Sequence, residues 1–384
     1  MNIKENKKTI RILHCNNDNK NKGGAYLVER KLEPYIRKYG YIFDYFTMDE
    51  FIDSGNKNTD PLPDSKLFSA RLRKNKVLGH IRLPFSFIKV LKANPYKLVH
   101  IDIDSAWKAL LYAIPAKIIG TKVLVHSHAT GIDGHFKNLK GLFHIICKFL
   151  LNMFTDKYIA CSSKALAWLC PKFEMNNSEI LINGINANEF YYKETIRKAC
   201  RKNLKIENKN FVLCNVGRIC ENKNQIFLLD VLVDLKKTIS DVKLLLVGPY
   251  DSEYLSKLKK LVKEKKIEDS VIIEKETSDV NRFLNAADFF LLPSHFEGFS
   301  LVSLEAQITG LKCILSTGVP LETKVTENVE FAELKQGPKV WAENIKKRML
   351  IIEERNTKHL DERYSLEGMA KQLASIYETM DIRK

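Results

Sequence analysis

The sequence holds no apolar run long enough to cross a bilayer. About 20 consecutive apolar residues are needed for a spanning helix, and the longest candidate, Leu142–Phe154 (LFHIICKFLLNMF), is interrupted by His144 and Lys148. It reads instead as a buried or interfacial helix. The N-terminal segment MNIKENKKTIRILHC carries Lys and Arg but no apolar stretch of signal-peptide length, so export is not expected. The eight cysteines form no CxxC pair and no zinc spacing, which removes the sequence case for a structural zinc site and leaves reduced thiols in a cytosolic setting as the simplest account. No G-x-G-x-x-G follows Gly23-Gly24, so a dinucleotide loop and an NAD enzyme are set aside. Acidic residues are missing altogether between Arg71 and Lys97, where Arg71, Arg73, Lys74, Lys76, Arg82, Lys89, Lys92 and Lys97 alternate with Leu83, Phe85, Phe87, Ile88, Val90 and Leu91. That mixture suits an anionic membrane surface, or equally a solvated basic face. No nucleic-acid-binding module accompanies the formal charge of +16, so nucleic acid is not an expected partner.

What is present is a globular composition: 45% hydrophobic and 28% charged residues over 384 positions. A chain of that length favours two domains over one core. Strand-like runs alternate with helical ones: Thr9–Cys15, a helix from about Ala25 to Tyr39, Tyr41–Thr47, a polar loop over Ile52–Ser69, Lys97–Ile101, a helix at Trp107–Ile119, Lys122–His126, Lys157–Cys161 and Glu179–Ile182. The alternation restarts at Phe211–Val216 and continues through Val242–Val247, Val271–Glu274, Asp288–Leu292 and Lys312–Ser316, with helices at Asn224–Lys237, Tyr254–Lys265, Val280–Asn285 and Leu301–Thr309. Strands apolar on both faces, alternating with helices, predict parallel sheets covered on both sides. The expected fold class is therefore α/β, two Rossmann-like domains facing across a cleft. The expected bounds are 1–190 for a first domain, 191–210 for a linker and 211–365 for a second domain. Residues 366–384 would form a C-terminal helix that packs back on the first domain.

In open α/β sheets ligands bind beyond the carboxyl ends of the strands, and the chemically loaded residues fall in such loops. After Phe211–Val216 comes Gly217-Arg218-Ile219-Cys220-Glu221-Asn222-Lys223-Asn224. Arg218 offers a planar donor fork and Lys223 a point charge, a combination that matches a diphosphate, although an exposed basic loop is the plainer reading. After Asp288–Leu292 comes PSHFEGFSLVSLEAQITG, Pro293–Gly310. Glu297 lies in the loop and Gly298 would let backbone approach a ligand. Phe299, Ser300 and Leu301 open a helix whose first N–H groups are suited to phosphate. Glu305, inside that helix, can accept from both hydroxyls of a ribose, and Glu297 from a sugar hydroxyl. The plainer reading makes Glu297 a loop acid and Glu305 a partner of the helix dipole.

The Glu297-x7-Glu305 pattern within this segment resembles glycosyltransferase family 4, of the GT-B fold. The resemblance extends to VGRICENKNQ, to ILINGINANEF, to GGAY at Gly23–Tyr26, to VHSHATG at Val125–Gly131 and to YIACS at Tyr158–Ser162. These six segments occur in the family's order over roughly residues 10–350, and the likeness is closest to members that build bacterial capsular and exopolysaccharides. It implies a retaining, metal-independent hexosyltransferase without a cofactor, using a nucleotide-sugar as co-substrate and a glycan or polyprenyl-linked acceptor. A cytoplasmic protein, peripheral on the inner face of the membrane, would fit that work. By the same resemblance Arg218 and Lys223 hold the diphosphate, Glu305 the ribose and Glu297 the transferred sugar. Gly24 admits backbone to the diphosphate, and His126 contacts the sugar near the reacting carbon, with His128 as the runner-up. The family is expected to transfer by front-face attack, the donor phosphate taking the acceptor's proton. Double displacement through Glu297 is the alternative.

Three departures from the family pattern stand out. The loop after Val271–Glu274 lacks the usual Gly and reads Glu274-Lys275-Glu276-Thr277-Ser278-Asp279. Tyr26 stands where the family often has Glu, and the region past Ser316 carries no matched residue. The Asp-x-Asp in His100-Ile101-Asp102-Ile103-Asp104 resembles a metal motif of another glycosyltransferase fold and is set aside here. Rival readings are a nucleotide-sugar epimerase or phosphorylase of the same fold, and an inactive glycan-binding partner subunit.

Overall fold

The computed structural model describes residues 9–15, 24–49, 60–71, 76–131, 137–275, 279–349, 355 and 360–383. The chain divides into unit 1, residues 1–185 and 362–384, and unit 2, residues 186–361. Unit 1 runs β1 (Ile10–Cys15), α1 (Gly24–Ile36), β2 (Tyr41–Thr47), β3 (Leu67–Ser69), α2 (Lys76–Ala93), β4 (Leu98–Ile103), α3 (Ala106–Ile119), β5 (Lys122–Ser127), α4 (Lys137–Asn152), β6 (Lys157–Ala160), α5 (Ser163–Leu169) and β7 (Ser178–Ile180). Unit 2 runs α6 (Glu194–Asn203), β8 (Phe211–Val216), α7 (Gln225–Lys236), β9 (Val242–Val247), α8 (Ser252–Glu264), β10 (Val271–Glu274), α9 (Val280–Ala286), β11 (Phe289–Leu292), α10 (Leu301–Ile308), β12 (Lys312–Ser316), β13 (Val329–Ala332) and α11 (Pro338–Met349). The chain then returns to unit 1 with α12 (Leu366–Thr379), which packs against α1.

The two sheets repeat one layout. Their orders are β3-β2-β1-β4-β5-β6-β7 and β10-β9-β8-β11-β12-β13, and every pairing is parallel. Strand order reverses between β1 and β4 and between β8 and β11, so each unit has a switch point of the kind where doubly wound sheets bind ligands. The central strands are buried along almost their whole length, β4 completely. That is why they read as continuous apolar runs rather than as alternating ones.

Several elements escaped the sequence reading. β3, in the stretch expected to be loop, has three residues and β13 four, too short for a periodic signal. The stretch 191–210, expected to be a linker, instead forms α6, which is packed into unit 2. Arg197 and Arg201 of α6 each reach Asp288 at 2.6 Å and donate to Ala286 O at 3.1 and 2.9 Å. Arg355 joins them, donating to Leu284, Asn285, Ala287 and Thr309 carbonyls. Three guanidinium groups around one carboxylate are tolerated because they face the carbonyl-rich, partially negative C-terminus of α9. Burial, then Arg197, still pushes the Arg355 pKa down to about 10. The return of the chain to unit 1 is marked by a bridge between Ile185 and Ser365. A side chain on Gly184 would fall on the Ser365 carbonyl, which accounts for glycine in Asn183-Gly184-Ile185.

Candidate functional site

The switch point of unit 2 is built from the loops that leave β8 and β11. β8 ends at Val216, and Gly217 follows with φ +149°, a conformation that strains any L side chain. Gly248, after the neighbouring β9, has φ +146°, and a Cβ there would overlap the Gly217 carbonyl. Two backbones therefore touch at the strand ends, joined by Ile219 N–H to Pro249 O at 2.7 Å and Asp251 N–H to Ile219 O at 3.0 Å. The loop makes a short turn over Glu221–Lys223, and Asn224 turns left-handed at φ +55° into α7. Gln225 is the buried peg. It donates to Asn215 Oδ1 at 3.1 Å and Arg218 O at 2.9 Å, and accepts from Cys220 N at 3.3 Å.

Asn222 clasps this loop to the next one. Its amide donates to Phe296 O at 3.1 Å and accepts from Phe296 N at 3.3 Å, while its carbonyl accepts from His295 N at 2.8 Å. From the other side Gly318 presses so close that a Cβ would overlap the His295 carbonyl, and Glu297 N–H reaches Gly318 O at 3.3 Å. The clasp brings Lys223 Nζ to 2.5 Å from Glu297 Oε1, with the two side chains 19% and 11% exposed. Arg218 is exposed on the same loop as Lys223. Phe299 and Leu301 are half-buried, Gly298 and Ser300 buried. Ser300 is the N-cap of α10 but makes no cap bond, and its buried hydroxyl has no hydrogen-bond partner. Glu305 lies half-buried on α10. Two residues on, Gln307 is fully buried; it donates to Ser303 O within α10 and ties the helix to the segment after β12 by bonds to Thr323, Val325 and Thr326.

Close backbone approaches occur at the Gly217–Gly248 pair and at Gly318. Asn222, Gln225 and Gln307 were also missed. Amides carry no signal in a single sequence, because their roles depend on which carbonyls the fold brings near.

The switch point of unit 1 is a buried polar cluster. His14 on β1 is in register with His100 on β4, and Asp102 on β4 with His126 on β5. The period of two along each strand places His100 with Asp102, and His126 with His128, on one face. Asp102 Oδ1 lies 3.0 Å from His128 Nε2 and 3.2 Å from His126 Nδ1, and Asp102 Oδ2 lies 3.0 Å from His14 Nδ1. His100 joins His126 at 3.2 Å and the Tyr377 hydroxyl, on α12, at 2.7 Å. Glu29 Oε2 of α1 lies 3.6 Å from His14 Nδ1. Burial alone would raise the Asp102 carboxyl, but His100 and hydrogen bonds from His126, His128 and His14 hold it well below its usual range. Burial, then the neighbouring His128, pushes His126 down to about 4, so it is neutral near pH 7. Burial and Asp102 push Glu29 well up.

His126, one of the sequence candidates, is therefore fixed in place, with Nε2 buried and without a hydrogen-bond partner. His128 is more exposed, at 12%. Gly24 opens α1 and is exposed, while Gly23 lies outside the described residues. Donor atoms of Asp102, His126 and His128, and of His14, His100 and Asp102, lie within 4.8 Å of one another, close enough to hold a metal ion, but the same atoms are already engaged with one another. Asp104 takes no part. It pairs with Lys108 at 2.8 Å, so the Asp-x-Asp does not form one site. A signal for the cluster existed, in His-x-Asp and His-x-His on strands that are otherwise apolar. A cavity of about 380 Å³ lined by Arg11, Lys66, Tyr96 and Arg383 lies at the amino ends of β1 and β4, at the opposite end of the strands from this switch point.

Residues 196–362, nearly all of unit 2, match the family model described as Glycosyl transferases group 1. The whole chain superposes on HepE of Anabaena in complex with UDP-glucose with a TM-score of 0.76 at 18% identity, covering 96% of this chain and all of that one. The chain is a glycosyltransferase of GT-B fold. Two curated relatives are similar in sequence. The capsular polysaccharide biosynthesis glycosyltransferase CapH of Staphylococcus aureus is 25% identical over 69% of this glycosyltransferase and 72% of its own length. The UDP-Gal:alpha-D-GlcNAc-diphosphoundecaprenol alpha-1,3-galactosyltransferase of Escherichia coli is 26% identical over 67% and 68%.

Proposed function

We propose that this glycosyltransferase is a retaining enzyme of family 4. It moves a hexose from a nucleotide-diphosphate sugar to a glycan or lipid-linked acceptor in bacterial surface polysaccharide synthesis, on the cytoplasmic side of the membrane. The observation that carries the reading is the Lys223–Glu297 pair, held by the Asn222 clasp at the switch point of unit 2. The donor class is supported by the bound sugar nucleotide in the HepE structure. The acceptor class is supported by the lipid diphosphate in the name of the Escherichia coli relative.

A donor diphosphate competes with Glu297 for Lys223. Arg218 and Lys223 take its charge, and the first N–H groups of α10 with the Ser300 hydroxyl supply further donors. Glu297 is then left to accept from hydroxyls of the sugar, and Glu305 from those of the ribose. Transfer breaks the bond between the anomeric carbon and the phosphate oxygen and forms one to the acceptor oxygen on the same face. The acceptor's proton passes to the leaving phosphate. Catalysis is then positioning plus stabilisation of the leaving diphosphate by the chain's own cations, with no metal required.

The test is a panel of nucleotide-sugars with a lipid diphosphate acceptor, followed by nucleotide release and by the anomeric NMR signals of the product. Nucleotide release with retained configuration is the expected result. An isomerised donor would point to an epimerase, an inverted product would remove the retaining assignment, and no turnover with any donor would leave a binding subunit.

A further inference from the structure

α4 has an unusual distribution of burial for a helix on a sheet. Among its described residues it buries only His144, Cys147 and Leu151, a seam with spacings of three and four. His144 anchors that seam. It accepts from Ala106 N at 3.2 Å, lies 3.0 Å from Trp168 O and stacks on the Trp168 ring at 4.1 Å. Most of the other described residues of the helix face out, and they are not polar. Leu142, Phe143, Ile145, Ile146, Phe149 and Leu150 are all exposed, Ile146 at 60% and Phe149 at 59%, followed by Met153 at 72%. A surface helix normally places polar residues there, and an apolar patch of this extent marks an interaction site.

The neighbours of α4 say what covers it. α3 packs against α4 and also against α2, so the three helices lie side by side. α2 exposes Ile81 and Phe85, the latter at 66%, and α3 exposes Ile118. Along these three helices there is no acidic residue at all. They carry Arg82, Lys89 and Lys92 on α2, Lys108 and Lys117 on α3, and Lys140 and Lys148 on α4; of these, Lys108 and Lys117 pair with Asp104 and Asp156 beside the helices, and the others supply the positive charge of the face. Elsewhere in the unit, α1 and α12, which pack on each other, carry Glu29, Glu33, Glu367 and Glu378. With Arg30, Lys31 and Lys371 beside those acids, α1 and α12 are mixed in sign, whereas α2, α3 and α4 carry cations alone.

We propose that α4, with the exposed flanks of α2 and α3, is a membrane-docking face whose occupant is an anionic lipid bilayer. Protein interfaces place charges of both signs at a polar rim and rely on shape complementarity. A bilayer demands neither. It offers apolar depth for Ile146, Phe149 and Met153 and phosphate for the cations, and the 16 residues of α4 would lie flat on it over roughly 24 Å. Among the described residues no helix is long and apolar enough to cross the membrane, so α4 lies on the lipid rather than through it. The inference deepens the reading above, since a lipid-linked acceptor is presented at such a surface. It does not depend on which sugar is moved.

The experiment compares the wild-type chain with Ile146→Ser/Phe149→Ser in co-sedimentation with vesicles, either of phosphatidylcholine alone or of equal parts phosphatidylcholine and phosphatidylglycerol. A second pair, Leu142→Ser/Phe143→Ser, guards against one variant failing to fold, and circular dichroism verifies each. The expected result is wild-type binding to the anionic vesicles only, with partitioning reduced roughly tenfold or more in both variants. Nucleotide release from a donor in free solution stays unchanged in the variants, which separates this proposal from the catalytic one. Wild-type failure to bind anionic vesicles at low salt overturns it, as does equal binding by wild type and both variants. A wild-type dimer that the variants dissociate, without any change in vesicle binding, would show that a second copy covers the face and would equally overturn it.

Discussion

The two switch points of this glycosyltransferase occupy equivalent places in two sheets of the same strand order, yet they are made differently. In unit 1 the polar groups sit on the strands themselves, and Asp102 is engaged by three histidines in a buried cluster. In unit 2 they sit on loops beyond the strands, where Lys223 and Glu297 keep 19% and 11% exposure. A cluster inside a sheet is rigid and is part of the fold's stability, because each group satisfies another that would otherwise be buried alone. A pair on clasped loops can exchange partners with a ligand at little cost to the fold. The comparison teaches that removing a residue should separate stability from activity in unit 2 and couple them in unit 1.

The largest expected effect is on activity in unit 2. Lys223→Ala and Glu297→Ala should each lower nucleotide release by about 100-fold or more, while the thermal midpoint stays near that of wild type. Near-normal turnover in either variant would remove the pair from the donor site. Next comes Asp102→Ala, which strips the shared acceptor from His14, His126 and His128. It should cost on the order of 3 kcal/mol in denaturant unfolding and lower turnover as well. A variant that is as stable as wild type would show that the cluster is not the structural element described above.

Acid should distinguish the units more gently. His126 is held at about 4 against an ordinary 6.5, and His100 is lowered too, both by burial first. The unfolded chain binds more protons across that window, so stability falls as pH drops from about 6.5 to about 4. Glu29 acts in the opposite sense. Its raised pKa means the folded chain holds a proton that the unfolded one loses above about 4.5, so its contribution disappears as pH rises through the folded value. Asp102, held below 3.8, adds stability that is lost only at still lower pH. Glu29→Gln should therefore make the acid loss steeper. Fluorescence of Trp107 and Trp168 in a Trp341→Phe background reports on unit 1, and a midpoint independent of pH would contradict the assignment. The smallest effect expected is that of a chelator. Activity should survive EDTA, and a loss that zinc or manganese restores would show that the Asp102, His126 and His128 donors hold a metal.

How much of this was legible in the sequence depends on range. The strands of both sheets other than β3 and β13, and the restart of the alternation after residue 210, could be read, because burial on both faces forces continuous apolar runs. Placing Lys223 and Glu297 in loops after β8 and β11 followed from the same pattern. Their contact did not, since 74 residues separate them and Asn222, which makes the clasp, has no pattern of its own. Arg197 and Arg201 lay in the stretch expected to be a linker, and only packing showed them, with Arg355, holding the end of α9.

By itself, then, the sequence determined the layers, the order of strands and helices within them and the loops that carry charge, because these follow from the local alternation of apolar and polar residues. Only the tertiary structure decided that Asp102 gathers three histidines, that Gly217 and Gly248 touch, and that the apolar side of α4 is left uncovered. Each of those depends on which residues distant in the chain become neighbours across strands, and on which surfaces find no partner within the fold.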